Sequence, residues 1–143
     1  MRYIKVWIHL VWSTKNREPL LTSEIRFKVL EHILQNGRSK GIFIDFVNGY
    51  TDHVHCLVSL GAEQSLSKIM HLIKGESSFW INKNHLSVSK FEWQTEYFAA
   101  SVSESNIDRV RQYIKNQEKH HTRKTFQDEY DEMILKWGFQ KLP

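Results

Sequence analysis

Residues 3–13 alternate so regularly that only an extended strand accommodates them: Ile4, Val6, Ile8, Leu10 and Trp12 share one face, and Lys5, Trp7, His9, Val11 and Ser13 the other. A helix would scatter the same side chains around its circumference, so the chain opens with a strand that must bury one wholly apolar side. Residues 14–21 break the pattern with Asn16, Pro19 and several charges, and Thr22-Ser23-Glu24 then caps a helix carrying Ile25, Val29, Ile33 and Leu34. That helix is expected to stop near Asn36-Gly37, where glycine takes the left-handed cap conformation. Residues 41–47 read as a second strand, 48–52 as a turn around Gly49, and 53–60 as a third strand, which together make a hairpin. Leu66, Ile69, Ile73, Trp80 and Ile81 mark a helix over 64–84, and 93–102 is a fourth strand rich in aromatic and β-forming residues.

The order strand-helix-strand-strand-helix-strand predicts an α+β, ferredoxin-like βαββαβ fold, an antiparallel sheet with both helices on one face and the other face open. Two appended C-terminal helices follow. Ser105-Asn106-Ile107-Asp108 starts one with Ile107, Val110 and Ile114 on its apolar side, and Phe126, Tyr130, Met133, Ile134 and Trp137 space out a second that must dock on something. At 143 residues the chain fits a single domain, with the ferredoxin-like core over 1–104 and the appended helices over 105–143. One cysteine, Cys56, excludes an internal disulfide framework, and no apolar run is long enough to span a membrane. The first residues, Met1-Arg2-Tyr3-Ile4-Lys5, lack the charged and apolar regions of a secretory leader, so the expected home is a reducing cytoplasm.

Two short motifs bear chemistry. On the third strand the period-two rule sends Val54, Cys56 and Val58 to one face and His53, His55 and Leu57 to the other, so both imidazoles project from the side the core helices leave uncovered. Imidazoles about 7 Å apart along a strand can converge on a divalent ion. The bare His-x-His pattern is weak, since eight histidines placed at random in this chain give roughly 0.4 such pairs. The second motif pairs Tyr113 with Gln117, one turn apart on a predicted helix face. A phenol with a pKa of about 10 needs a nearby cation or base to act as a nucleophile at neutral pH. A metal on His53 and His55 would supply that field, with the Gln117 amide oxygen as a third neutral ligand. Each motif alone also reads as ordinary structure: two sheet-face histidines, and a tyrosine packed on an amphipathic helix.

These motifs and their flanks, His9-Leu10-Val11-Trp12-Ser13-Thr14-Lys15, Asn48-Gly49-Tyr50-Thr51-Asp52-His53-Val54-His55, Tyr113-Ile114 through His121, and Thr125 to Tyr130, resemble the HUH-superfamily single-tyrosine transposases of small bacterial insertion sequences. The likeness spans nearly the whole chain. It implies His53, His55 and Gln117 as ligands of a divalent metal, Mg²⁺ or Mn²⁺, and Tyr113 as the catalytic nucleophile on single-stranded DNA, through a 5′-phosphotyrosine intermediate. It further implies hairpin-ended DNA as partner and a homodimer whose active sites are completed in trans. Two imidazoles favour Mn²⁺ or a transition metal in affinity, whereas Mg²⁺ prefers oxygen.

The net charge of +4 is compatible with a polyanionic partner. Lys15, Arg17, Lys74, Arg109, Arg111, Lys115, Lys119, Arg123 and Lys124 are the candidate DNA-binding residues, as phosphate contacts that give affinity without sequence reading. His9, His120 and His121 are sheet-face or surface histidines or supports of the site, and Asp52 is a turn residue able to orient an imidazole. Three other readings remain open at this level: a non-catalytic single-strand-binding module on the same fold, a domesticated relative that cuts host repeats, and a metal-dependent hydrolase that ignores Tyr113.

Overall fold

The computed structural model describes residues 3–121 and 124–137. Its sheet holds four strands, β1 (Trp7–Ser13), β2 (Phe43–Gly49), β3 (His53–Ser59) and β4 (Phe98–Val102), in the order β2-β3-β1-β4. Every neighbouring pair is antiparallel. Helices α1 (Ser23–Ser39) and α2 (Leu66–Lys83) lie between β1 and β2 and between β3 and β4 in the chain, followed by α3 (Ile107–Lys115), α4 (Gln117–His121) and α5 (Phe126–Trp137). This is the α+β, ferredoxin-like arrangement that the element order predicts.

Alternation decides which side each residue serves. Leu10, Trp12, Val54, Cys56 and Val58 pack with Val29, Leu30 and Ile33 of α1 and Ile69, Met70 and Ile73 of α2 in one buried cluster. On the opposite face Trp7 and Leu57 meet Ile107 and Ile114 of α3, while Val11 meets Phe126 and Met133 of α5. The appended helices thus cover the side that the core helices leave open, each buried aliphatic side chain contributing about 1.5–3 kcal/mol.

Several element boundaries differ from expectation, β2 among them, which runs on through Asn48 and Gly49, residues expected in the turn, because both pair with β3. β1 begins at Trp7 rather than Tyr3, because its partner β3 ends at Ser59, the residue paired with Trp7. β4 begins at Phe98 rather than Trp93: Trp93 makes an isolated bridge to Thr14, and its indole nitrogen donates to Ser77 Oγ at 2.9 Å in the core. α1 runs through Gly37 to Ser39, since Gly37 is a packing residue and not a cap; a Cβ there would lie 2.4 Å from Ile44 Cδ1. The expected Tyr113-to-Gln117 helix is broken at Asn116 into α3 and α4.

Candidate active site

The β2–β3 hairpin and its neighbour β1 hold the histidine pair. His53 and His55 are fully buried, opposite Ser13 and Val11 of β1, with ring centroids 5.1 Å apart. Asp52 Oδ1 lies 2.8 Å from His53 Nδ1, and His9 Nε2 lies 2.9 Å from His55 Nδ1. Both partners engage Nδ1, leaving Nε2 of each ring as the nitrogen turned toward the appended helices. Burial, and secondarily the charge of His55, pulls His9 down to about 3. Burial likewise takes His55 down to about 4 in spite of Glu129 beside it. His55 is therefore neutral at pH 7, the state a metal ligand requires, and so is His9 behind it.

Gln117 supplies the third atom. Its Nε2 donates to the Tyr113 carbonyl at 3.3 Å, which orients the amide so that Oε1 faces His53 Nε2 at 3.0 Å. In the tautomer that Asp52 selects, two lone pairs meet there. A shared cation resolves that contact, so the residues present fit a divalent metal held by His53, His55 and Gln117.

Tyr113 projects from α3, half-buried, with its ring centroid 5.5 Å from that of His55, 6.2 Å from His9 and 5.4 Å from His120. Asn48 Nδ2 donates to the carbonyls of Ile114 and Lys115 at 3.0 and 3.1 Å, tying the end of α3 to the histidine hairpin. Arg111 adds a two-pronged pair with Asp45, at 2.8 and 2.9 Å. Asp45 sits at the register shift between Ile44 and Phe46, an irregularity of β2 that re-aims a side chain. Burial first, then the Glu129 charge, raises the Tyr113 hydroxyl far above its ordinary value, with Gln117 opposing. The phenol is thus fully protonated until a positive field reaches it.

The sequence reading overlooks Glu129. It lies on α5, fully buried, with Oε1 2.6 Å from His55 Nε2 and Oε2 2.5 Å from His121 Nε2. Although burial opposes ionisation, His121 and His55 hold this carboxylate well below the usual range. Burial likewise opposes charging of His121, yet Glu129 raises it. The available signal was spacing: Glu129 stands three residues after Phe126 and four before Met133, a carboxylate on an apolar stripe. His120 and His121, which the sequence leaves as surface or support, stand beside it at the end of α4.

The candidate DNA-binding cations scatter. Lys15 pairs with Glu92 at 3.1 Å, Lys124 with Glu132, and Arg17 bonds Gln127 while lying over the Phe126 and Tyr130 rings. Lys74 donates to the carbonyls of Gln94 and Thr95 at 2.6 and 3.1 Å. Arg111 is engaged by Asp45 and Asp108. Arg109, Lys115 and Lys119 are exposed on α3 and α4. Arg123 lies outside the described residues.

A ferredoxin-like sheet with a histidine pair on one face, met there by a tyrosine from an appended helix, defines the HUH class of single-tyrosine transposases. The chain belongs to the IS200-like transposase family, whose model matches residues 2–117. It is similar to the ISDra2 transposase TnpA of Deinococcus radiodurans, 24% identical over 114 residues covering 76% of this chain and 81% of that protein. In fold it resembles a crystal structure assigned to a transposase of D. radiodurans R1, with TM-score 0.64 and 23% identity over 81% of this chain and 93% of that one. It also resembles a REP-associated tyrosine transposase solved with a REP hairpin, with TM-score 0.61 and 20% identity over 85% of this chain and 72% of that one. The activity class of the family is DNA cleavage and strand transfer in transposition.

Proposed function

We propose that this transposase cleaves and rejoins single-stranded DNA at insertion-sequence ends, with Tyr113 as nucleophile and His53, His55 and Gln117 holding Mg²⁺ or Mn²⁺. The observation that carries this reading is the convergence, on one sheet face, of the Tyr113 ring with His55 at 5.5 Å and of Gln117 Oε1 with His53 Nε2 at 3.0 Å. Bound there, the cation supplies a positive field that draws phosphate oxygens and makes phosphorus more electrophilic.

Tyr113 Oη forms the bond to phosphorus, and the bond from phosphorus to the 3′ oxygen breaks. The phenol gives up its proton, and the leaving oxygen takes one up to become a free 3′-hydroxyl. The 5′-phosphotyrosine conserves the bond, so a second 3′-hydroxyl reverses the step and joins new ends without a nucleotide cofactor.

Hairpin DNA is the proposed partner, in keeping with the REP hairpin held by the relative of like fold. The proposed assembly is a homodimer, in which the α3 that carries Tyr113 can serve either its own histidines or those of a second copy. The test is incubation with Mn²⁺ and single-stranded DNA carrying a terminal hairpin. A covalent protein–DNA adduct that disappears in Tyr113→Phe is expected, whereas undiminished cleavage by that variant overturns the nucleophile assignment.

A further inference from the structure

Glu129 is the only buried carboxylate among the described residues, and its two oxygens face different histidines. Oε1 lies 2.6 Å from His55 Nε2, while Oε2 lies 2.5 Å from His121 Nε2 and 3.3 Å from His120 Nε2. Both carboxylate oxygens and all three nitrogens are buried together, out of reach of solvent. Imidazole nitrogens and a carboxylate gathered this closely in a buried place are a donor set that a divalent ion can share once the atoms spread to coordination distance.

His121 strengthens this geometry. Its Nδ1 lies 2.7 Å from the Lys124 carbonyl, an acceptor, so that nitrogen donates and Nε2 is the one turned to Glu129, available to a cation once its proton is lost. The Tyr50 ring, stacked at 5.2 Å, holds the imidazole plane in place. The ligand atoms of His53, His55 and Glu129 lie within 4.8 Å of one another, and so do those of His120, His121 and Glu129.

We propose that Glu129 is a bridging carboxylate between two cation positions, the second formed by His120, His121 and Glu129 and suited to a divalent transition metal. This rests on the first position being the one held by His53, His55 and Gln117. Two imidazoles and a carboxylate match Zn²⁺ or Co²⁺ better than Mg²⁺, and the added negative charge separates this position from the neutral donor set of the first. A cation held there would stand beside His120, whose ring lies 5.4 Å from that of Tyr113, and would add positive field near the phenol.

Metal-stripped full-length protein titrated with Co²⁺, followed by visible absorption, counts the positions directly. Two equivalents are expected in the wild type, and one in either His120→Ala/His121→Ala or His53→Ala/His55→Ala. Glu129→Gln should weaken the second equivalent by about 10- to 100-fold. A measurement independent of any variant is electron paramagnetic resonance of the wild type with two equivalents of Mn²⁺, where a spin-coupled pair signal is expected. Saturation at one equivalent, or an isolated six-line Mn²⁺ spectrum at saturation, overturns the second position. A Tyr113–DNA adduct formed with one equivalent bound removes the bridge and keeps the proposed function; two equivalents with no adduct does the reverse.

Discussion

Asp52 and His9 give His53 and His55 their direction, because each engages an Nδ1 and so selects which nitrogen faces the appended helices. Asp52→Ala should lower Mn²⁺ affinity by about 10- to 100-fold, measured by titration calorimetry, with an unchanged circular dichroism spectrum. The buried rings also set a pH dependence in the metal-free protein. His9 at about 3 and His55 at about 4 stay neutral when folded, whereas the unfolded chain protonates them below about 6.5. Stability is therefore full above 6.5 and falls as pH drops through that value toward 4 and 3. Glu129, depressed by His121 and His55, adds loss in the same direction as pH falls below 4.5. His121 is raised and acts oppositely, contributing below 6.5 and losing its contribution as pH rises through its folded value. Unfolding free energies from urea titrations in chelator should decline from pH 7 to pH 4, by an amount on the order of a few kcal/mol. At this scale the two histidines were legible because the strand period puts them on one face, whereas Tyr113 and Gln117 were expected together on a continuous helix that the structure breaks at Asn116. Glu129 was not, because a helical pattern read for its apolar members passes over the polar residue standing among them.

The β2–β3 hairpin is the element on which the site depends most. A Cβ at Gly49 would lie 2.3 Å from the His53 carbonyl oxygen, and a backbone atom so close has no rotamer through which to yield. Gly49→Ala should destabilise by about 1–3 kcal/mol in urea unfolding and weaken Mn²⁺ binding, because the residue displaced is itself a proposed ligand. Gly37 presents a milder case, as the atom met there is the end of the Ile44 side chain. Element types could be read from alternation and helical spacing, but their ends could not. Alternation in residues 3–6 continues past the last partner residue of β3, and only the partner strand says where pairing stops. The break at Asn116 was equally invisible, for it accompanies the Gln117 side chain turning back to the Tyr113 carbonyl and Asn48 holding the last carbonyls of α3.

Across the whole molecule, α1 and α2 build the main core on one side of the sheet while α3 and α5 close the other over the histidines. Of the candidate DNA contacts, most are already engaged by acids, carbonyls or other side chains, while Arg109 and Lys115 have no ion pair among the described residues. If both touch phosphate, the Arg109→Ala/Lys115→Ala variant should flatten the slope of log binding constant against log salt by about 0.7 per lost contact, measured on single-stranded DNA. The chain partner that Tyr113 serves is open to a mixing experiment. His53→Ala/His55→Ala combined with Tyr113→Phe should restore the DNA adduct in a homodimer that exchanges α3, and an inactive mixture would place the reaction within one chain. Within one chain, the proposed nucleophile and the proposed metal ligands are gauged from one piece of backbone: Asn48 grips the end of α3, and five residues later the same hairpin presents His53. With so short a ruler, thermal flexing elsewhere in the sheet changes their spacing little, and a strand of DNA pulled through the site would drag both ends of the reaction together.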